Sequence, residues 1–424
     1  MKKIVSALIA STMLFALAGC GSDNQEKAYQ PSLDPEIIGK INVAGHYNNF
    51  EALEAEFNRF NEFYPSVELT YTYLDNYNNI IATTLESADA PDIFFTYAWT
   101  SGSEESRKLL ENAENLADES LGINLSCVRD GLLYTAPDGS VPMVPIYTTT
   151  YGMMVNENIF EKEGIAVPST YSELLNACEA LKNAGYSSPM MGFNRSDLLT
   201  YPLFYPYFVA GVKDDSAALT ALNNMDRGAG EYARPAFELA DDFMKHGYID
   251  LDACNALGND YGDVIMRFFE GDVPMMLATA NTVSGTEKRE SQSEAFVANP
   301  FKYSFRPVPS TEDGGYFINS ISLNFSVNKN SQNLDITNEF MRFLITTPEL
   351  NRMAKAKRMV TPCKDMSLDS VYAVFGELES DQIIYPALIG LDNAPGTQVR
   401  IAGWQISNGM ITVDEAISAF GTLE

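Results

Sequence analysis

Histidines, carboxylates and nucleophilic side chains are the residues of this chain that could carry catalysis, and their spacing favours no catalytic site. The only histidines, His46 and His246, lie far apart in the sequence, which argues against a histidine-based triad or a zinc site. The motifs G-x-S-x-G, H-E-x-x-H and G-x-x-x-x-G-K-[ST] are absent. Because the chain has 57 acidic residues, spacing does not single out the paired carboxylates of a glycoside hydrolase. The sequence therefore predicts a protein that is not an enzyme.

Two segments resemble ligand-binding motifs but lack residues or flanking structure that those motifs need. Residues 228–233 fit the glycine spacing of a dinucleotide fingerprint, but a polar run precedes them where the motif needs a strand. The segment DNYNNIIATTLE has Asp75 and Glu86 at the outer positions of a calcium-loop pattern. However, Tyr77 stands where a ligand belongs, and Ile80 stands where the loop needs glycine. We therefore predict no cofactor and no metal.

The cysteines allow two interpretations. Besides Cys20, the chain has Cys127, Cys178, Cys254 and Cys363, with no C-x-x-C pair and no Cys/His spacing typical of a metal site. An exported protein could pair them in one or two disulfides. Buried thiols that behave as small hydrophobic side chains agree with the sequence equally well.

The amino-terminal residues have the order of a lipoprotein export signal. Lys2 and Lys3 precede the apolar stretch IVSALIASTMLFALA, which is too short for a permanent membrane span. The stretch ends in LAGC, which resembles the lipobox of bacterial lipoproteins, where the cysteine is acylated before cleavage. We predict a signal peptide over residues 1–19, lipid attachment at Cys20 and a flexible tether over residues 20–38. The protein is thus expected outside the cytoplasm, anchored to the cell membrane.

Charge and length restrict the partners and the domain count. The formal net charge is −29, and such an acidic field repels phosphate backbones and anionic ligands. We therefore expect no nucleic-acid partner and a ligand without negative charge. About four hundred residues follow the signal, which is more than a single ordinary core accommodates. We expect roughly two domains in a monomer.

The elements that would position a binding site are readable early in the mature chain. Apolar and polar residues alternate in IGKINVAGH and VELTYTYL, as in strands, and PDIFFTY reads as a buried strand. Phe50, Leu53, Phe57 and Phe60 share one face of a helix between the first two strands, and NIIATTLESA is a second helix. This β-α-β-α-β order predicts an α/β protein with a parallel sheet covered by helices.

Several blocks, in order along nearly the whole mature chain, resemble the extracellular solute-binding proteins of carbohydrate ABC importers. They are the run APDIFF, the stretch YGMMVNENIFEKEGIAVPSTYSELL, the helix and turn in FFEGDVPMMLATAN, and FRPVPSTEDGG with the helix after it. The chain departs from the family in having Met154 and Val155 at aromatic positions, Tyr171 at a tryptophan, and SIS at 320–322 near a usual glycine pair. These departures weaken the transfer of individual ligand contacts and leave the fold prediction intact.

The resemblance implies a two-lobed periplasmic-binding-protein-like fold with a hinge and an interlobe ligand cleft. It also implies a partner, the membrane subunits of an ABC importer, which recognise the closed form. The hinge candidates are residues 148–151 and 303–308. Lobe one would contain residues 39–147 and 308–347, and lobe two would contain residues 152–304 and 348–424.

Sugars present apolar C–H faces and a rim of hydroxyls, so their sites combine aromatic plates with amide and hydroxyl groups. Ligands meet parallel sheets at the loops that follow the carboxyl ends of the strands. Trp99 is favoured both by its loop after PDIFF and by the resemblance, which also places an aromatic near Tyr201. The predicted ligand-binding residues, with His46 and Tyr151 as neighbours, are Tyr47, Asn48, Tyr97, Trp99, Tyr147, Tyr201, Asn281, Tyr316 and Trp404.

The sequence therefore predicts a substrate-binding lipoprotein of an ABC importer that captures a neutral oligosaccharide by lobe closure. Two alternatives stay open. One is a binding protein for a non-sugar solute, such as a polyamine, which needs a cluster of pocket carboxylates with aromatics, or a peptide. The other is a surface-anchored glycan-degrading enzyme, which needs two carboxyl groups placed across a cleft.

Overall fold

The computed structural model describes residues 29–48, 50–101, 104–195, 198–257 and 261–422. The predicted signal peptide, Cys20 and the first part of the predicted tether lie outside these residues. Among the helices of the described ranges, none is long and apolar enough to cross a membrane.

Ten strands lie in the described part of the chain. They are β1 (Gly39–Gly45), β2 (Val67–Tyr73), β3 (Ile93–Thr96), β4 (Val144–Asn156), β5 (Met190–Gly192), β6 (Met275–Thr279), β7 (Tyr303–Arg306), β8 (Val308–Thr311), β9 (Gly314–Val327) and β10 (Ile383–Ile384). They form one mixed sheet in the order β2-β1-β3-β9-β4-β6-β5, in which β8 and β10 also pair with β9, and β7 with β4.

Nineteen α-helices lie in the same described ranges, together with short 3-10 turns that include Ala98–Ser101 and Lys108–Asn112. The helices before β6 are α1 (Glu51–Phe60), α2 (Tyr77–Leu85), α3 (Glu104–Arg107), α4 (Glu157–Glu163), α5 (Tyr171–Asn183), α6 (Tyr201–Val212), α7 (Ser216–Asn223), α8 (Arg234–Lys245), α9 (Leu251–Ala256) and α10 (Tyr261–Phe269). Those after it are α11 (Ala280–Ser284), α12 (Thr286–Gln292), α13 (Glu294–Ala298), α14 (Leu334–Leu344), α15 (Thr347–Ala356), α16 (Ala373–Glu377), α17 (Pro386–Ile389), α18 (Asn393–Ser407) and α19 (Val413–Ala419).

The first half of the sheet has the β-α-β-α-β order that the sequence predicts. β1 pairs in parallel with β2 on one side and with β3 on the other. Helix α1 connects the first two strands and buries Leu53, Phe57 and Phe60 along one face, because these residues recur at helical spacing. The prediction of an α/β protein is confirmed.

Strands β4 and β9 are antiparallel to each other. They link the first half of the sheet, β1 to β3, to the second half, which contains β5, β6 and β7. β9 pairs with β3 at one end, and the other end of β4 pairs with β6 and β7. Between these ends, residues 148–150 lie opposite residues 319–321. The Asn319 side-chain amide donates to Thr148 Oγ1 at 3.1 Å and to Thr150 Oγ1 at 2.8 Å. Two adjacent strands, tied by buried side-chain hydrogen bonds, therefore join the two halves.

The return crossing lies elsewhere than at the predicted segment 303–308. Tyr303–Arg306, which forms β7, pairs with the part of β4 that belongs to the second half. β8 then folds back on β9 in a hairpin whose turn contains Gly314, a glycine with φ of +124°. Because the hairpin reverses the chain within the second half, the chain crosses back inside β9.

Helices α14 and α15 pack on α1. The Phe340 ring of α14 lies 5.0 Å from the Phe57 ring between centroids. Arg59 Nε of α1 lies 3.0 Å from Glu349 Oε2 of α15. This packing places α15 beside the first half of the sheet, whereas the sequence prediction assigned residues 348–424 to lobe two. The apolar face of a helix does not specify which neighbour covers it, so the sequence pattern did not reveal this contact.

Two separate apolar cores fill the described part of the protein. The larger core extends through both halves of the sheet, and the smaller one is formed by α6, α8, α18 and α19 with residues such as Phe204, Phe237 and Ile417. The four cysteines of the described residues lie in the larger core, are buried and form no disulfide. The structure thus agrees with the interpretation of these thiols as small core side chains.

The chain is docked on the first half of the molecule from Tyr29 onward, within the segment that the sequence predicts to be a flexible tether. The Tyr29 ring packs edge-on against Phe63 and Phe343, with centroid distances of 5.1 and 5.2 Å. Tyr29 Oη donates to Glu339 at 2.5 Å, and the Ser32 backbone N–H donates to the same carboxylate at 2.9 Å. A buried carboxylate needs hydrogen-bond donors, and this segment supplies several of them.

Candidate functional site

The carboxyl ends of the parallel strands in both halves approach the crossing strands from opposite sides. The register of β3 on β9 puts Thr96, its last residue, beside Asn324, on the way to residues 319–321. The register of β6 on β4 puts Thr279, its last residue, beside Tyr151, next to the crossing from the other side. The loops that follow these strands therefore face one another across the crossing, where ligands bind such sheets.

Aromatic rings gather at this edge of the first half. Tyr97 and Trp99 are stacked, with centroids 5.5 Å apart and planes 11° from parallel. Tyr97 Oη lies 2.6 Å from His46 Nδ1, and the Tyr77 hydroxyl donates to the Phe95 carbonyl at 2.8 Å. Trp99 is 44% exposed, so one face of the indole packs on Tyr97 and the other is open to a ligand.

The contact between Tyr97 and His46 joins two neutral groups. Partial burial lowers the pKa of His46, so the imidazole is neutral at pH 7 and its Nδ1 can accept a hydrogen bond. Burial, together with the nearby Tyr47 and Tyr71, raises the pKa of Tyr97, so its hydroxyl keeps the proton that it donates. This end of the site presents polar groups without net charge.

The stacked pair opens onto a groove of about 1150 Å³. Its lining includes Tyr97 and Trp99, the outer side of α2 and the turn Lys108–Asn112. Asn393, the first residue of α18, lines the same groove. Because α18 belongs to the second core, residues from both halves of the molecule bound this space.

The other predicted residues of the first half are placed differently. Tyr47 is half-buried and packs on Phe95, with centroids 5.3 Å apart, and Asn48 is exposed in the loop after β1. Tyr147 is 1% exposed and lies in the larger core, 6.0 Å from Phe50 between centroids. A register shift in β4 at Tyr147 accompanies this inward orientation. In this structure Tyr147 is therefore a core residue.

The predicted residues of the second half lie on the crossing strands, at the start of α6 and after the end of β6. Tyr151 and Tyr201 contact edge to face at 5.0 Å, and Tyr201 lies 4.5 Å from Tyr205. Tyr201 is 9% exposed, so most of its ring is used in packing. Tyr316 is half-buried against the smaller core, and Asn281 is exposed directly after β6.

Trp404, which lies on α18, contacts a network of side-chain amides. Its indole N–H donates to Asn194 Oδ1 at 2.8 Å, and Asn194 Nδ2 lies 2.8 Å from the side-chain oxygens of both Asn255 and Asn408. Asn194 follows β5, which is parallel to β6 and ends at the same edge. Asn194 is outside the predicted set, because a three-residue strand gives almost no periodic signal.

The groove is also lined by residues that are not among the predicted ligand-binding residues. They include Tyr77, Asn78, Asn79 and Asn393. The first three stand in the segment that resembles a calcium loop, directly after β2 and therefore at the carboxyl end of a parallel strand. That position, rather than the motif, is the signal that could have identified them. Asn393 has no such signal, because only the packing of α18 brings it to the groove.

Comparisons with known proteins agree with this architecture. The family model "Bacterial extracellular solute-binding protein" matches residues 44–349. The melibiose/raffinose/stachyose-binding protein MelE of Bacillus subtilis (strain 168) is 20% identical over 387 residues, which cover 89% of this chain and 85% of MelE.

Solved structures share the fold at low sequence identity. RafE from Streptococcus pneumoniae in its apo form has a TM-score of 0.69 and 17% identity, covering 92% of this chain and 99% of RafE. RafE in complex with raffinose has a TM-score of 0.66 and 18% identity, covering 90% of this chain and 98% of RafE. The sugar-binding protein MalE from Xanthomonas citri has a TM-score of 0.70 and 16% identity, covering 90% of this chain and 95% of MalE. The prediction of a two-lobed fold of the periplasmic binding-protein type is thereby confirmed. Because the family match extends from residue 44 to residue 349 of 424, the protein belongs to the family of bacterial extracellular solute-binding proteins.

Proposed function

We propose that the protein captures a neutral oligosaccharide between its two lobes and delivers it to the membrane subunits of an ABC importer. The observation that carries the proposal is the stacked Tyr97–Trp99 pair, whose open indole face lies just beyond the carboxyl end of β3. Such a face stacks on the C–H face of a sugar ring, while nearby amides bond its hydroxyls. The names of two similar proteins, MelE and RafE in complex with raffinose, support a sugar as the ligand.

The charges around the stacked pair favour a neutral ligand. The rings that contact Tyr97 belong to His46, Tyr77 and Trp99, none of which is charged at neutral pH. A polyamine would need carboxylates in their place. The net charge of −29 repels anionic ligands, which disfavours phosphosugars and uronates.

The packing supports lobe boundaries that differ in two places from those predicted. Lobe one contains β1 to β3, the first part of β4, the last part of β9, α14 and α15. Lobe two contains the rest of the sheet with α18 and α19. The predicted boundary at 308 moves to residues 319–321 because β8 pairs with the second-half end of β9, and the boundary at 348 moves beyond α15. Residues 148–150 and 319–321 are then the hinge that bends when the lobes close.

Neutral oligosaccharides should raise the melting temperature of the protein. A ligand that binds only the folded state stabilises it by about 2.7 kcal/mol at a hundredfold excess over its Kd. We would measure melting by scanning fluorimetry with melibiose, raffinose, stachyose and the maltodextrins. Oligouronates, sugar phosphates, spermidine and short peptides are the controls, and they should leave the melting temperature unchanged.

The same experiment separates binding from turnover. The sugar should be recovered chemically intact after long incubation, and small-angle scattering should show a more compact particle when it is bound. Hydrolysis products that accumulate in proportion to protein concentration would instead support a glycan-degrading enzyme. A melting response to spermidine or peptides without a response to sugars would support a binder of another solute.

The proposal also places the protein outside the cytoplasm on a lipid anchor at Cys20, which lies outside the described residues. The basic start, the apolar stretch and the LAGC run support it. Cys20→Ala should move the protein out of the membrane fraction without changing its melting temperature, whereas Ser22→Ala should leave it in place. Membrane retention of Cys20→Ala, with mass spectrometry showing that the leader has been removed, would contradict the anchor.

A further inference from the structure

The groove beside Trp99 continues well beyond the stacked pair. Its lining runs along α2 from Asn78 to Ala82 and, past the end of the helix, to Glu86. The nine residues of α2 rise by about 13 Å, so the groove is longer than a single sugar ring. Because α2 begins at the carboxyl edge of the sheet and runs away from it, the groove leads outward from the cleft along lobe one.

The walls and floor of this outer part have the chemistry of a carbohydrate subsite. Ala82, which is exposed, and Leu109, which is half-buried, are apolar residues of the lining that a ligand can reach. Asn79 on α2 and Asn112 of the turn Lys108–Asn112 add side-chain amides to the lining. Accessible apolar groups beside amides match the C–H face and the hydroxyl rim of a sugar ring.

The charges of the groove lining balance. Glu86 and Glu111 contribute two negative charges, and Lys108 and Lys329 contribute two positive ones. Equal numbers of both signs give no net attraction for an ionic ligand, while each group can bond a hydroxyl. The outer groove is therefore suited to the same neutral, hydroxyl-rich ligand as the stacked pair.

We infer that this groove holds the outer sugar units of an oligosaccharide whose inner units stack on Trp99, so that the protein binds longer chains better than short ones. The inference rests on the proposed function and adds the length of the ligand to it. Asn393, a lobe-two residue, lines the same continuous space as Trp99 and Ala82.

Filling the groove tests the inference. Ala82 is exposed on α2 and lines the groove, whereas Thr83 is also exposed on the same helix and lies outside the lining. We would compare Ala82→Trp with Thr83→Trp by calorimetric titration of two neutral series, melibiose to verbascose and maltose to maltohexaose. In the wild type, affinity should rise with chain length within the series that binds. Ala82→Trp should weaken binding of the longest sugars at least tenfold and leave the shortest unchanged, and Thr83→Trp should behave as the wild type.

The outcomes distinguish this inference from the function on which it rests. Equal affinity for short and long sugars, or an equal loss for all lengths in Ala82→Trp, would overturn the outer subsite and leave sugar binding intact. An absence of binding to every member of both series by the wild-type protein would overturn both proposals. Matching circular dichroism spectra and melting temperatures of the two variants would show that a difference between them comes from the groove.

Discussion

Replacing Trp99 by alanine should weaken sugar binding by about five- to 150-fold, which corresponds to about 1–3 kcal/mol. The indole is 44% exposed and packs in parallel on Tyr97, so a ligand ring can stack on its open face without displacing protein groups. The alanine variant loses this aromatic surface and leaves Tyr97 as a partial replacement. Isothermal titration with the sugar that gives the largest melting shift measures the loss directly.

Intrinsic fluorescence offers an independent reading of the same contact. The chain has two tryptophans, Trp99 and Trp404, and Trp404 donates its indole N–H to Asn194 on lobe two. Sugar binding should change the fluorescence of the wild type and of Trp404→Phe. Trp99→Ala should lose most of this change while it keeps the wild-type circular dichroism spectrum. Wild-type affinity in a folded Trp99→Ala protein would remove this residue from the site.

Replacing Glu339 by alanine should lower the free energy of unfolding by about 3–5 kcal/mol, because the substitution leaves the partners of a buried carboxylate without an acceptor. Glu339 accepts hydrogen bonds from Tyr29 at 2.5 Å, from Tyr64 at 2.7 Å and from the Ser32 hydroxyl at 2.6 Å. Arg342 forms an ion pair with it at 2.7 Å. Chemical denaturation measures the loss. Asp335→Asn, at an exposed position of the same helix, is the control and should change stability by less than about 1 kcal/mol.

The loss of folding stability at low pH should also depend on Glu339. Burial alone raises the pKa of Glu339, but hydrogen bonds from Arg342, Ser32, Tyr29 and Tyr64 outweigh it and lower the pKa from 4.5 to about 2. The stabilisation is therefore complete above pH 4.5 and is lost as the pH falls toward 2. Glu339→Gln should lose less stability over this range than the wild type. Parallel acid profiles of the two proteins would contradict the role of Glu339.

Local sequence patterns determined the elements and the general class of this protein. The alternation around β1 and β2, the helical spacing of Leu53, Phe57 and Phe60, and the buried run in β3 predict the first half of the sheet, because each depends on neighbouring residues alone. The same reading places Trp99 in the loop at the carboxyl end of β3, where the structure has it at the mouth of a groove. The order along the chain of blocks that resemble solute-binding proteins indicates the family that the comparisons confirm.

Contacts between distant parts of the chain were decided only by the tertiary structure. The return crossing lies in β9 because of its pairing with β3 and β4, and Tyr147 faces the core because of the register of that pairing. Asn393 reaches the groove, and Tyr29 reaches Glu339, 310 positions further along the chain, through packing that no local pattern records. The free energies of strand pairing and of burial depend on both of the surfaces that come into contact. The periodicity of a sequence segment describes only one of these surfaces. A sequence therefore specifies which face of an element is apolar, and the fold decides which partner covers that face.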